Sequence, residues 1–122
     1  MTKYEKLVQA LMNLTKNSEK LPMKEDEWRT RPEADSYGTV NLDFEAGQLN
    51  ADDVKEDAAY EGSVDFFSHS RNGNGWRPLI EDTLTEYCGA CWGLNSRQYE
   101  RETGLAHWEY VFQITDEEAG ES

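Results

Sequence analysis

A strict alternation of apolar and polar residues constrains the fold of this chain more than any other feature. The stretch YGTVNLDFEA places Val40, Leu42 and Phe44 between polar neighbours, which is the pattern of a strand with one buried face. The later stretch AYEGSVDFFS repeats the pattern with Val64 and Phe66. These two segments are predicted to form an antiparallel pair of strands.

A second pair of strands is predicted closer to the end of the chain. The segments ACWGLNSRQY and LAHWEYVFQI flank ERETG, in which Gly104 supplies the turn of a hairpin. In the last strand, Trp108, Tyr110 and Phe112 alternate with polar residues and are expected to face the core. Trp92, in the preceding strand, is expected to join them.

Helical spacing occurs in two other segments. Apolar residues from Tyr4 to Met12 recur on one helical face, and Thr2 and Glu5 have the spacing of a capping box. The segment WRPLIEDTLTEYC has the same periodicity, with Pro78 in the first turn, where proline is tolerated. Two helices are therefore predicted.

These elements predict a single α+β domain over residues 1–122. Its parts are a helix in residues 1–14, an arm or loop in residues 15–36, a sheet, helix and sheet body in residues 37–115, and a flexible acidic tail in residues 116–122. The expected architecture is an antiparallel four-stranded sheet, made of two hairpin-like pairs, with both helices packed on one face. The expected core consists of Val40, Leu42, Phe44, Val64, Phe66, Ile80, Leu84, Trp92, Trp108, Tyr110 and Phe112.

The chain is strongly acidic, with 25 Asp and Glu residues against 12 Lys and Arg residues and a formal net charge of −13. Residues 1–32 hold seven basic and five acidic side chains, whereas residues 33–122 hold five basic and twenty acidic ones. Nucleic-acid binders neutralise phosphates with Lys and Arg, so the body of the domain is a poor match for a DNA- or RNA-binding protein. High solubility is the simplest consequence of this charge.

The sequence does not predict insertion into a membrane. No apolar run approaches the roughly 20 residues that a membrane-spanning helix needs. Residues 1–14 also lack the continuous apolar stretch and the cleavage site of a signal peptide. A cytoplasmic protein with reduced cysteines is therefore expected.

The motif CGAC raises the question of a redox or metal site. Redox-active CxxC motifs begin a helix, where the dipole stabilises a thiolate, but Cys88 is predicted to end a helix and Cys91 to begin a strand. Zinc would need two further ligands, and nothing in the sequence brings His69 and His107 to the cysteines. Both thiols are expected to be structural, and no catalytic residue, cofactor or metal ion is predicted.

A family resemblance rests on YEGSVDFFS, the helix that follows it and the hairpin CWGLNSRQYERETGLAHWEYVFQI. These segments resemble the C-terminal two-thirds of small tail-completion or tail-terminator proteins of long-tailed bacteriophages of the siphophage type. The resemblance covers residues 60–114 well, the first helix loosely and residues 16–36 hardly at all. The matching motifs are structural rather than catalytic.

The resemblance implies a structural virion protein and not an enzyme. Such proteins form a ring, commonly of six copies, that stops growth of the tail tube and joins the tube to the head-tail connector. The implied partners are other copies of this chain, the tail-tube protein and the connector proteins, while DNA passes through the ring without being bound. The implied location is the tail or neck of the virion, after synthesis in the host cytoplasm.

An acidic loop is predicted between the first two strands. It holds Asp52, Asp53, Glu56 and Asp57 with only Lys55 to offset their charge. In a ring, this loop is expected to face the lumen or its mouth, where negative charge repels DNA. A solvated surface loop is the simpler alternative.

Two functions from other classes stay open. One is an acidic cytoplasmic adaptor that mimics nucleic acid and binds a basic host protein. The other is a small redox enzyme that uses the CGAC motif, which would need a thiol far more reactive than free cysteine near neutral pH.

Overall fold

The structure is a computed structural model of the chain that describes residues 2–45 and 58–116. In chain order, the helices and strands are α1 (Lys3–Met12), β1 (Thr15–Lys16), β2 (Glu19–Lys20), β3 (Met23–Glu25), β4 (Ser36–Glu45), β5 (Ala58–Ser68), α2 (Trp76–Cys88), β6 (Trp92–Glu100) and β7 (Leu105–Asp116). A short 3-10 turn, Gly73–Gly75, leads into α2.

The main sheet is mixed and has five strands in the order β3-β4-β5-β7-β6. The predicted antiparallel four-stranded sheet is therefore wrong: the four predicted strands form the antiparallel part, and β3 adds a fifth strand parallel to β4. β1 and β2 form a separate two-stranded ribbon, so residues 15–36, predicted as an arm or loop, contain three short strands. The alternation pattern missed them because strands of two or three residues are too short to show a period.

The central strand β5 pairs with β7 along its whole length, from Ala58 opposite Asp116 to Ser68 opposite Ala106. This register places large apolar side chains opposite one another on one face, as with Val64 and Tyr110. Both helices pack on that face, and the core lies between them and the sheet. The fold is thus α+β with two helices on one side of a mixed sheet.

Helix α1 begins at a capping box, as its sequence predicts. The Thr2 hydroxyl accepts a hydrogen bond from the Glu5 backbone N–H at 3.1 Å, and the Glu5 carboxylate accepts one from the Thr2 backbone N–H at 2.9 Å. On its buried face, the Tyr4 ring stacks on Tyr60 and Phe112, with ring centroids 5.7 and 6.4 Å apart. These stacked rings join α1 to the two central strands of the sheet.

Helix α2 is joined to β7 by a polar cluster. Arg77 Nε donates to the Tyr110 hydroxyl at 2.8 Å, and that hydroxyl donates to Glu81 Oε2 at 2.6 Å. Arg77 and Glu81, one helical turn apart, also form an ion pair at 3.0 Å. Because each member of the cluster has a partner, the Tyr110 hydroxyl stays satisfied although its ring is buried.

Most residues expected in the core are buried, but two differ. Leu42 is 37% exposed, because it lines an open groove beside α1 instead of the interior, and Trp92 is half-buried near the edge of the sheet. The side chain of Phe44 lies outside the described part of the chain. The other expected core residues are buried: Val40, Val64, Phe66, Ile80, Leu84, Trp108, Tyr110 and Phe112.

Gly62, the glycine of the EGSVD segment, allows a close approach within the sheet. A Cβ atom at this position would collide with the backbone carbonyl oxygen of Asn41 and would lie 2.7 Å from the Phe112 ring. Glycine is therefore required for Phe112 to pack over β5. The close packing of Asn41 and Phe112 therefore explains the glycine in the EGSVD segment.

Trp108 has the largest of the fully buried side chains and packs against Phe66, with ring centroids 5.4 Å apart. We expect Trp108→Ala to lower the free energy of unfolding by about 3 to 5 kcal/mol, because the truncation leaves a large cavity. Urea denaturation followed by circular dichroism measures this change. Val111→Ala, on the same strand but exposed, is the matched control and should cost little. Equal stability of the two variants would contradict the burial of Trp108.

Candidate functional site

The two cysteines of the CGAC motif are free thiols that differ in exposure. Cys88 ends α2 and is buried, whereas Cys91 precedes β6 and is exposed. Burial raises the pKa of the Cys88 thiol to about 12, and interaction with Cys91 adds to the shift. The negative end of the helix dipole also disfavours a thiolate at this position. Cys88 is thus suited to packing and poorly suited to nucleophilic attack.

Thiol labelling tests this assignment. At about pH 8, we expect iodoacetamide to modify Cys88 at least about a hundredfold more slowly than Cys91, because Cys88 is buried and its pKa is raised. Mass spectrometry of peptides after timed pulses measures both rates, and Cys91→Ser isolates the Cys88 rate. Both thiols should react alike in urea-unfolded protein. Rapid labelling of Cys88 in the folded protein would favour a reactive thiol.

The two histidines have different surroundings, and each is described by its own contacts or exposure. His107 Nε2 is 2.7 Å from Asp65 Oδ1, and the His107 ring stacks on Phe67 with centroids 4.3 Å apart. His69 is exposed in the loop after β5. Over residues 2–45 and 58–116, no group of three or more His, Cys, Asp or Glu side chains is placed to hold a metal ion. Alternation put Asp65 and His107 on one polar face, but only the strand register brings them together.

A row of aromatic rings covers the sheet face opposite the helices. Tyr37, Phe67 and His107 lie side by side on β4, β5 and β7, and the Tyr37 and Phe67 centroids are 5.0 Å apart. Trp28, from the segment before β4, donates its indole N–H to the carbonyl oxygen of Gly38 at 3.0 Å. Tyr37, Phe67 and His107 stack on one another, and Trp28 lines an open pocket beside them. The stacked rings thus form a small aromatic row on this face.

The acidic residues predicted to face the lumen of a ring, Asp52, Asp53, Glu56 and Asp57, lie outside the described residues. The segment that carries them connects β4 to β5, and these two strands pair antiparallel. Both ends of the segment are therefore attached at the same end of the sheet.

Strand β6 forms one edge of the sheet. One side of it pairs with β7, from Trp92 opposite Phe112 to Glu100 opposite Leu105, and no other described strand pairs with its outer side. An edge of this kind presents unpaired backbone N–H and C=O groups. On this strand Leu94 is 44% exposed and Tyr99 is 43% exposed.

Two arginines lie at the same edge. The Arg71 guanidinium lies 4.9 Å from the centre of the Tyr99 ring, and that of Arg97 lies 5.4 Å from the Trp108 ring. Arg97 also donates to the carbonyl oxygen of Arg71 at 3.2 Å, and neither forms an ion pair with a described carboxylate. We refer to Arg71, Leu94, Arg97 and Tyr99 as the edge surface.

The loop that carries Arg71 is held in place by Asp35. The Ser70 hydroxyl and the Asn74 amide donate to Asp35 Oδ2 at 3.2 and 3.4 Å, on either side of Arg71 in the sequence. The Ser68 hydroxyl donates to the same oxygen at 3.3 Å. Arg71 therefore projects from an anchored loop, which lowers the entropy that a contact made by this residue would cost.

An open groove lies between α1 and β4, toward the opposite end of the sheet. Its lining includes Val8, Met12 and Leu42, together with the carboxylates of Glu5 and Glu25, and its volume is about 740 Å³. Met12 is 39% exposed and Leu42 is 37% exposed. We refer to Glu5, Val8, Met12, Glu25 and Leu42 as the groove surface.

Several carboxylates lie near the Tyr4 hydroxyl at this end of the molecule. The Tyr4 hydroxyl donates to Glu25 Oε2 at 2.9 Å. Burial raises the pKa of Tyr4, and the hydrogen bond to Glu25 and the charges of Glu25, Asp26 and Asp43 raise it further. None of these three acids forms an ion pair with a described basic side chain. The groove surface thus combines apolar side chains with uncompensated carboxylates.

The outer edge of β4 is only partly covered. Strand β3 pairs with Gly38–Val40 alone, and among the described strands none pairs with the outer side of β4 beyond Val40. The backbone that follows Val40 has an open outer edge beside the groove surface. Both ends of the five-stranded sheet therefore present unpaired strand edges.

Sequence patterns did not single out either surface. One signal was present, since only five basic residues follow residue 32 and Arg71 and Arg97 are two of them. The groove surface has no comparable signal, because it joins residues from α1, β3 and β4 that are distant in the sequence.

Comparison of the chain with known protein families, curated proteins and solved structures finds no match. In the described part of the chain, neither helix has the length and apolar character required to cross a membrane.

Proposed function

We propose that this chain is a structural subunit that assembles with copies of itself into a ring, and that the ring terminates the tail of a long-tailed bacteriophage. The observation that carries the proposal is the outer edge of β6, nine residues long and uncovered by any described strand. An exposed edge with apolar side chains is a template for pairing with another chain. Monomeric proteins normally protect such an edge, so an assembly surface is its best explanation.

The tail-terminator assignment is supported by the family resemblance. The segments that carry this resemblance form β5, α2, β6 and β7, so they include both the open edge and the strands that support it. In this assignment the ring, commonly of six copies, contacts the tail-tube protein on one side and the head-tail connector on the other. The protein is then part of the virion neck.

The net charge of −13 fits this use. A ring through which DNA passes should not hold the duplex, and negative charge repels the phosphates. The acids at positions 52, 53, 56 and 57 are the proposed lining of the lumen or its mouth. A ring that does not neutralise phosphates would release no counterions from the DNA, and counterion release is what drives proteins to bind DNA.

We expect the purified protein to form rings at micromolar concentration, with a mass near that of about six copies. Light scattering after size-exclusion chromatography gives the mass, and negative-stain imaging shows the ring. A protein that stays monomeric at every concentration would contradict the proposal. If that monomer captured a basic host protein, the acidic adaptor would be favoured instead.

Charge reversal tests the lumen. With Asp52, Asp53, Glu56 and Asp57 all changed to Lys, the rings should persist but should retain DNA, and retention should fall steeply as salt rises. Filter binding with labelled duplex measures retention. The matched control changes four exposed acids elsewhere to Lys, namely Glu19, Glu33, Asp82 and Glu102. Equal retention by both sets of rings would contradict a lumen position for the loop.

A further inference from the structure

The two ends of the sheet carry surfaces of opposite charge. The edge surface at β6 presents Arg71 and Arg97, which have no carboxylate partner among the described residues. The groove surface at α1 and β4 presents Glu5 and Glu25 beside exposed Met12. β4 lies one strand from one edge of the sheet, whereas β6 is the other edge, so one copy cannot bring its own two surfaces together.

We infer that the edge surface of one copy docks on the groove surface of the next copy. The inference rests on the ring proposed above and adds the two surfaces that form each contact. Each copy then uses a different patch toward each neighbour, which makes the contact heterologous. Repeated contacts of this kind close into a ring when the rotation from copy to copy divides the full circle.

The apolar parts of the two surfaces match. Leu94 and Tyr99 are 44% and 43% exposed on one, and Met12 and Leu42 are 39% and 37% exposed on the other. These four residues and Val111 are the large hydrophobic side chains that are most exposed within the described part. Docking removes four of the five from water, which is the dominant favourable term in most protein association.

Charge selects this combination over the alternatives. Two copies with a net charge of −13 repel each other unless the contact provides local attraction. Contact between two edge surfaces would bring Arg71 and Arg97 of one copy close to the same arginines of the other copy, and the positive charges would repel. Contact between two groove surfaces would bring carboxylates of the two copies together, which also repel. Only the pairing of one edge surface with one groove surface brings arginines to acids, which favours both the encounter and its register.

The backbone permits the same contact. The outer side of β6 is unpaired over the described strands, and so is the outer side of β4 beyond Val40. Addition of a strand to an exposed edge supplies backbone hydrogen bonds, while side chains next to the edge supply specificity. Arg97 and Tyr99 lie on β6 itself and fill that second role.

The chain's own residues 46–57 are the other occupant to consider for the groove. This segment carries four acids and one lysine. The groove it would enter is already lined by Glu5 and Glu25, with Asp26 close by in the sequence. Because like charges repel at short range, the segment is a poorer match than the arginine-bearing edge of a second copy.

Two charge variants test the inference, each with a matched control. Arg71→Glu with Arg97→Glu blocks the edge surface, and Lys20→Glu with Arg29→Glu makes the same change of net charge at exposed sites elsewhere. Met12→Lys with Leu42→Lys blocks the groove surface, and Thr30→Lys with Val111→Lys is its control. Each blocking variant should weaken self-association at least about a hundredfold, because the contact would place like charges together.

A mixing experiment identifies the partner surfaces. The edge-blocked and groove-blocked variants should each be monomeric alone but should associate with each other when mixed in equal amounts. The reason is that the mixture contains one intact edge surface and one intact groove surface per pair. Sedimentation velocity measures the masses, and both controls should assemble like the unmodified chain. Circular dichroism and melting temperature check that every variant is folded.

Three outcomes would overturn the inference. Assembly of both blocking variants would place the contact elsewhere and leave the ring proposal intact. Loss of assembly in the edge-blocked variant alone would show that the groove surface is not the partner of the edge surface. The edge surface would then pair with the edge surface of another copy or with a different part of the next copy. A monomeric unmodified chain would instead contradict the ring proposal together with this inference.

A cross-linking form of the test leaves the charges in place and applies even if a blocking variant unfolds. In a Cys91→Ser background, Met12→Cys and Tyr99→Cys are introduced into the same chain, and a short thiol-to-thiol cross-linker is added. A ladder of covalent multimers is expected. Each single cysteine variant is the control and should yield no ladder, and a double variant without a ladder would contradict the proposed docking.

Discussion

The antiparallel pairing of β5 with β7 places Val64 opposite Tyr110 and Phe66 opposite Trp108 on one face of the sheet. Both helices pack against this face. Helix α1 reaches them through the stacking of Tyr4 on Phe112, and α2 reaches them through its polar cluster with Tyr110. The centre of the sheet is therefore fully packed, whereas its outer strands are supported on one side only. We attribute assembly to this difference between a packed centre and open edges.

The central part of the fold was predictable because its signals are local. Alternation located β4 to β7, and helical periodicity with the Thr2 capping box located α1. Strand β3 was not predictable, since its pairing with Gly38–Val40 joins segments that are separated along the chain and share no pattern. Leu42 follows the alternation but is exposed, because alternation gives the face of a strand and not what covers that face.

The candidate site was less predictable than the fold. The CGAC motif and the acidic loop were recognisable from the sequence, because each consists of residues that are close together in the chain. The edge surface depends on cation-to-ring contacts such as that of Arg71 over Tyr99, which only the folded hairpin and its neighbouring loop create. The groove surface depends on α1 crossing beside β4. Both surfaces are products of tertiary structure, and the few basic residues in the acidic body were a clue to the edge surface alone.

The central claim is that the open strand edges become buried when the protein assembles. Hydrogen exchange of backbone amides, measured by mass spectrometry on dilute monomer and on assembled protein, tests it most directly. We predict slower exchange after assembly in Trp92–Glu100 and in residues 41–45, with little change in residues 106–112, which are already paired on both sides. Exchange in Trp92–Glu100 that is equally fast before and after assembly would contradict the account.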